Sequence, residues 1–257
     1  MLHVAESGSG TPLVLLHAYP CDHTMWDPQA SALAERGIRV IRPDLPGFGS
    51  SPPPTEAEPS LRVMADSVFE ALDARGVDRF VLGGLSMGGY VAMQMLRQQP
   101  DRITGLALVD TKATPDGDQA RAVREETARK ALAAGSLVPL TEGMLLGLLG
   151  ATSRASRPEA QRVTEDFIAR ASAPAAAWAM RAMAVRPDSL PILGTYDRPA
   201  VVIAGDEDSL SPLDEQHLMV NALPSARLVT IPGCGHLSAV EQPQAVTTAL
   251  QEYLDQL

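Results

Sequence analysis

Residues 80–96 read FVLGGLSMGGYVAMQML, and the stretch changes character at Ser86. Before the serine runs a short β-rich apolar segment ending in Gly83 and Gly84; after it, apolar residues recur at helical spacing from Met87 onward. One small hydroxyl therefore sits among four glycines, where a strand must turn sharply into a helix. Gly84-Leu85-Ser86-Met87-Gly88 has the spacing G-x-S-x-G, and crowding explains it. A nucleophile presented at a tight strand-to-helix turn occupies strained backbone and stands clear of its neighbours. Positions two before and two after it come so close together that side chains there would collide, hence glycine. The helix beginning at Met87 aims its first N–H groups at the same point and favours negative charge there.

Similar apolar runs recur on both sides of this stretch. PLVLLHA (Pro12–Ala18) lacks polar alternation, the pattern of a strand covered on both faces. IRVIRPD near Val40, ITGLALVD near Leu106, AVVIAGD near Val202 and ARLVTIPG near Val229 repeat it. Helical patterns lie between most of them. Leu61, Met64, Ala65, Val68, Phe69 and Leu72 keep i, i+3, i+4 spacing behind a capping Ser60. Val246, Ala249, Leu250, Tyr253 and Leu254 do the same, with Pro243 in the first turn. Strands alternating with helices predict an α/β fold with a mainly parallel, doubly covered sheet. The alternation breaks between Lys112 and about Thr195, an Ala- and Arg-rich segment that reads as helices separated by Gly or Pro. This predicts a helical insertion emerging after the strand that ends near Asp110. Its apolar stretch GMLLGLLG, with Leu145 and Leu146, and the group Trp178, Met180 and Met183 are candidates to face a substrate cavity. SSPPPTEAEP, beginning at Ser51, reads as a stiff Pro-rich loop.

Composition narrows the function classes. The chain has 257 residues, 45% of them hydrophobic, enough for one α/β domain with a sizeable core. Its formal net charge of −10 argues against nucleic acid or an anionic membrane as partner, since both require a basic face. Cys21 and Cys234 are too few for a disulfide framework and lack metal-ligand spacing, which fits reduced thiols in a cytoplasmic protein. No apolar run approaches the roughly 18 residues of a membrane span. PLVLLHAYP follows Glu6 with no basic segment ahead and no small-residue cleavage site, so it reads as a strand and not a signal sequence.

A serine hydroxyl needs a base to take its proton and a third group to orient that base. Five histidines are available. His3 falls in the first strand, His23 in a loop, His217 in a surface helix, and His17 at a strand end where it shapes the loop. His236, in the glycine-bracketed IPGCGHLSAVEQP after the last strand, is the natural base. The acid should leave another strand end and precede the histidine. Asp208, three residues past Gly205, lies far enough along for its loop to turn back. Asp206 and Asp110 remain alternatives, the second fitting better as the end of a strand and a cap for the segment beyond it. Acyl transfer also needs donors for the tetrahedral oxyanion. The backbone N–H groups of Met87 and of Tyr19, in the loop after PLVLL, are the candidates. None of this chemistry requires a metal or an organic cofactor.

Together these residues resemble the α/β-hydrolase superfamily. The resemblance rests on HAYP (His17–Pro20), RPDLPGFGSS (Arg42–Ser51), GLSMGG (Gly84–Gly89), GDEDSLSP (Gly205–Pro212) and GCGHLSAVEQP (Gly233–Pro243), in the order Ser, Asp, His. It implies an α/β-hydrolase core formed by residues 1–112 and 196–257. Residues 113–195 would be a helical cap over the active site, inserted after the sixth family strand. It also implies Asp208 over Asp206, because the family's acid usually takes the G-x-x-D position. Two departures stand out: His17-Ala18 replaces the usual His-Gly, and the N-terminus leaves room for about one strand before Pro12, so an edge strand should be missing. Family members that open epoxides or displace halide carry aspartate at the position of Ser86, so the resemblance implies neither reaction here. It implies instead a hydrolase for small to medium carboxylic esters, with lactone or enol-lactone hydrolysis and cofactor-free perhydrolysis as alternatives. A ligand receptor without turnover is a further alternative from another class. Helical caps in such folds often carry dimer contacts, which leaves a homodimer open.

Overall fold

The chain is described here from a computed structural model over residues 1–55 and 58–257. The Pro-rich loop after Ser51 includes Glu56 and Ala57, which lie outside the described residues. Every apolar run read above as a strand forms one. The strands are β1 (Val4–Ser7), β2 (Thr11–Leu16), β3 (Ile38–Pro43), β4 (Phe80–Leu85), β5 (Ile103–Val109), β6 (Ala200–Gly205) and β7 (Ala226–Ile231). They pair in one sheet of order β1-β3-β2-β4-β5-β6-β7. Only β1 is antiparallel to its neighbour; the other pairs are parallel. A single short strand thus precedes Pro12, as the short N-terminus implied, and His3 sits one residue ahead of it instead of within it.

The helices, in chain order, are α1 (Asp27–Ala34), α2 (Leu61–Asp73), α3 (Met87–Gln98), α4 (Asp118–Ala134), α5 (Thr141–Leu148), α6 (Ala151–Ser156), α7 (Pro158–Arg170) and α8 (Ala173–Ala184). The remaining four are α9 (Leu190–Leu193), α10 (Leu213–Ala222), α11 (Ser238–Glu241) and α12 (Pro243–Leu254). α1 packs on α12, and α2 on α3. Residues of both parities in β2, β4 and β6 are buried, as a doubly covered sheet requires. Ser60 caps α2 by accepting the Arg62 N–H at 3.2 Å, and the helix buries the stripe expected from its spacing. α12 begins at Pro243 and buries Val246, Ala249, Leu250 and Tyr253. Between β5 and β6 the described residues form α4 to α9 and no strand. Within this stretch α4 packs on α8 and α5 on α7, while α9 packs against α3 and α10. Among the described residues, no helix is long and apolar enough to cross a membrane.

The strand order positions the site. The chain runs from β2 to β3 on one side, then returns to β4 on the other. Its connections therefore diverge at the C-terminal ends of β2 and β4, where an open parallel sheet leaves a crevice.

Candidate active site

Ser86 stands at the C-terminal end of β4, at φ 54° and ψ −113°, backbone that L-residues rarely adopt. Strain of this kind costs on the order of 1–3 kcal/mol and persists only where the surroundings impose it. They do so here on both sides of the residue. The Ser86 N–H donates to the Val109 carbonyl at 3.0 Å, and its own carbonyl accepts from the Thr111 hydroxyl at 2.9 Å and the Tyr90 N–H at 3.1 Å. The flanking glycines are demanded by contact: a Cβ on Gly84 would lie 2.3 Å from the Gly88 carbonyl oxygen, and one on Gly88 2.2 Å from that of Leu16.

His236 lies in the loop between β7 and α11, and its Nε2 is 2.7 Å from the Ser86 Oγ. Its Nδ1 is 2.8 Å from Oδ2 of Asp208, in the loop after β6. With the proton on Nδ1 donated to Asp208, Nε2 is left to accept from the serine. The Asp208 carboxylate is fixed in turn, accepting from the Leu210 N–H at 2.8 Å, from the Ser211 N–H at 3.1 Å and from the Ser211 hydroxyl. Asp206, the alternative acid, instead accepts the Gly233 N–H at 2.7 Å.

Two further buried carboxylates organise the histidine loop, and the sequence reading gave neither this role. Glu241 accepts from the Gly150 and Gly235 N–H groups, both at 2.9 Å, and from the Leu237 N–H at 3.2 Å. Asp110, also at positive φ, does not cap the segment after β5. Its oxygens accept the Gly205 N–H at 2.9 Å and the Ser238 N–H at 3.0 Å, tying the acid loop to the histidine loop. The Asp110 ties and the Glu241 bond to Gly150 join segments far apart in sequence, so no local pattern announces them.

The electrostatics follow from this crowding. Burial alone would lower the His236 pKa, but the Asp208 charge and hydrogen bond, then Asp110 and Glu241, raise it above its ordinary value. Burial alone would raise the Asp208 pKa, yet the His236 charge and the hydrogen bonds from His236 and Ser211 hold it below the usual range. Asp110 is pushed up, first by burial and then by the neighbouring Asp208 charge.

Met87 opens α3, so its N–H belongs to the helix-start groups that have no intrahelical acceptor. Tyr19 lines the same cavity as Ser86 and His236. The loop carrying it is held by His17, whose Nε2 accepts the Leu45 N–H and whose Nδ1 bonds the Ala18 carbonyl, both at 2.9 Å. Burial lowers the His17 pKa, so the ring stays neutral and fits this pair of bonds.

The cavity over Ser86 encloses about 620 Å³. Met183 faces it, together with Met180, but Leu145, Leu146 and Trp178 do not. Helical phase decides the difference. On α5 the cavity side presents Gly143, Met144, Gly147 and Leu148; Leu145 turns into the core, and Leu146 is 59% exposed. On α8 Trp178 sits about 200° around the helix from Met180 and packs half-buried against the core. The apolar character of both segments was legible, whereas the face each presents was not. Lys112, Asp116, Arg124 and Tyr90 also line the cavity and had no assigned role. Lys112 lies just past the end of β5, the one sequence signal that pointed to the crevice.

Away from this cavity, His3, His23 and Asp44 form the one cluster among the described residues whose donor atoms are close enough to hold a metal ion, lying within 4.8 Å of one another. Their facing atoms are already bonded to one another. One Asp44 oxygen accepts the His23 N–H at 2.8 Å and bonds its Nδ1 at 2.7 Å; the other accepts the Ser50 N–H and bonds His3 Nδ1, both at 2.9 Å. The cluster knits the N-terminus to two loops. Cys21 and Cys234 are buried free thiols whose pKa values burial raises, which suppresses thiolate chemistry.

Comparisons with known proteins agree with this geometry. The chain is similar to a thermophilic esterase from Thermogutta terrifontis, with 36% identity and a TM-score of 0.94 over 99% of this chain and 93% of that one. It is similar to an enol-lactonase from Burkholderia xenovorans, with 25% identity and a TM-score of 0.89 over 99% and 96% of the two chains. A pimeloyl-[acyl-carrier protein] methyl ester esterase from Nitrosomonas europaea is 28% identical over 250 residues, 95% of each chain. The family model for the alpha/beta hydrolase fold matches residues 11–243, and with the parallel sheet and the serine at its strand-to-helix turn this makes the chain a member of the α/β-hydrolase family.

Proposed function

We propose that the protein is a serine hydrolase that cleaves carboxylic esters of small to medium size through an acyl-enzyme. The observation that carries this reading is the unbroken hydrogen-bonded line from Ser86 Oγ through His236 to Asp208 at the floor of the cavity. The Ser86 oxygen attacks the ester carbonyl carbon while His236 Nε2 takes its proton. The oxyanion of the tetrahedral intermediate is received by the Met87 and Tyr19 N–H groups. The intermediate collapses by breaking the bond to the alkoxy group, which leaves as the alcohol with the proton from His236. Water then attacks the acyl-enzyme with His236 again as base, and the carboxylic acid departs. Asp208 holds the imidazole in the required tautomer and stabilises its cationic form. Strained backbone maintained at the nucleophile supports turnover over a receptor role, because a binding protein has no need of it.

The similarity to an enol-lactonase supports a second reading, hydrolysis of a lactone by the same atoms. Relative kcat/KM on cyclic and open-chain esters separates the two. The reading as a whole is tested by Ser86→Ala. The variant should keep the wild-type circular dichroism while p-nitrophenyl acetate hydrolysis falls by at least about 10⁴-fold. A folded variant that retains most of the activity removes Ser86 as nucleophile.

A further inference from the structure

The chain carries a net charge of −10, yet the cavity over Ser86 has the opposite sign. Besides His236, the charged side chains lining it are Lys112, Arg124 and Asp116. Asp116 is already neutralised. One of its oxygens pairs with Arg124 Nε and the other lies 2.7 Å from Nη1 of Arg186, a buried arginine stacked 4.2 Å over the Tyr90 ring. Two arginines thus meet one carboxylate, and with Lys112 on the lining and Arg186 behind it the wall carries an excess of two positive charges, which the triad's own carboxylate, absent from the lining, does not offset.

The donors on this wall are also unspent. Among the described residues Lys112 has no ion-pair or hydrogen-bond partner. Arg124 Nη1 points at the sulfurs of Met183, at 3.5 Å, and Met180, at 3.7 Å, which are weak acceptors. Among the same described residues the buried Tyr19 hydroxyl likewise finds no partner. Unsatisfied donors in a largely apolar cavity are costly, and a charged acceptor uses them best. A carboxylate offers about four lone-pair sites and bears one negative charge, matching a lysine, the edge of an arginine and a phenol.

We propose that Lys112, Arg124 and Tyr19 form a carboxylate subsite, so that the preferred substrates are esters or lactones bearing a free carboxylate, such as half-esters of short dicarboxylic acids. The proposal rests on the serine-hydrolase reading and deepens it. In this arrangement the carboxylate anchors the far end of the acyl chain on the cationic wall while the ester carbonyl reaches Ser86. A neutral ester of the same length leaves the donors unsatisfied, so discrimination arises from both the attraction and the penalty.

The test uses two esters matched in chain length, mono-p-nitrophenyl glutarate and p-nitrophenyl valerate. The wild-type enzyme should favour the glutarate ester at least tenfold in kcat/KM. In Lys112→Gln that ratio should fall to within about threefold of unity, and Lys112→Arg should restore most of it. Glutarate itself should bind to Ser86→Ala in a calorimetric titration, with the affinity lowered at least tenfold by adding Lys112→Gln. Equal or reversed preference in the wild type overturns the subsite while leaving the hydrolase reading intact. A ratio unchanged in folded Lys112→Gln does the same. Failure of the enzyme to hydrolyse either ester overturns the reading beneath it, and the glutarate titration then decides separately whether the anion site exists.

Discussion

The Ser86 hydroxyl depends on a histidine that is itself caught between two demands. Burial favours the neutral ring, whereas Asp208, Asp110 and Glu241 favour the imidazolium, and the balance raises the His236 pKa. As the proposed base, His236 works only unprotonated, so kcat/KM for a neutral ester should rise with pH along a limb centred above the ordinary histidine value of about 6.5. Asp208→Asn removes the nearest charge and the acceptor that fixes the tautomer. Two consequences are expected: activity falls about 10³–10⁴-fold, and the residual limb moves to lower pH. A pH–rate profile of the variant checks both, and a limb that stays in place removes Asp208 from this role. The same carboxyl also governs acid stability. Its folded pKa is depressed, so it contributes stability above the ordinary carboxylate range that is lost as pH falls through the depressed value. The meeting of Ser86, His236 and Asp208 was readable because each occupies a short motif at the end of a strand. Asp110 was not, since what it holds are backbone N–H groups of distant segments, and Glu241 was not, since one of its partners, Gly150, comes from the far side of the chain.

The turn from β4 into α3 is built around an absent side chain. The atom that a Cβ on Gly88 would strike is the Leu16 carbonyl oxygen, part of β2 and hence unable to rotate away. Gly88→Ala should therefore cost on the order of 3 kcal/mol, read as a lower urea midpoint at unchanged slope. A loss below about 1 kcal/mol would mean that the two elements can separate at this point. Spacing predicted where the helices form and which residues share a face. It did not predict which face meets the cavity, and α5 shows why: nearly every residue of its second half is apolar or glycine, so Leu145 and Leu146 look as suited to the site as Met144 and Leu148. Only tertiary packing separates them.

The molecule is assembled across a divide between the sheet and the helices that connect β5 to β6. Within those helices Asp116 ties Arg124 on α4 to Arg186 just beyond α8; Arg186 also donates to the Thr114 carbonyl at 2.9 Å and crosses the divide by stacking on Tyr90 of α3. With Asp116 removed, two guanidinium groups stay in place without their counter-charge. Asp116→Ala should cost about 3–5 kcal/mol, measured as a lowered Tm, and a variant as stable as the wild type would show that water reaches both arginines. At this scale the alternation of strands with helices and the strand-free helical stretch between β5 and β6 were legible, because apolar runs without alternation stand out against an Ala- and Arg-rich stretch. The basic side chains on the cavity wall were not, since Lys112 in the loop after β5 and Arg124 on α4 reach it from separate places in a strongly acidic chain. The divide has an evolutionary corollary. Ser86, Asp208 and His236 hang from strand ends that must keep their geometry, while the side chains of Met144, Met180 and Met183 reach the cavity from α5 and α8 and bond to none of the three. Pliable methionine walls around a rigid reaction centre let one lineage change its diet by rewriting the upholstery alone, so a library confined to those three positions is the shortest road to new substrate tastes.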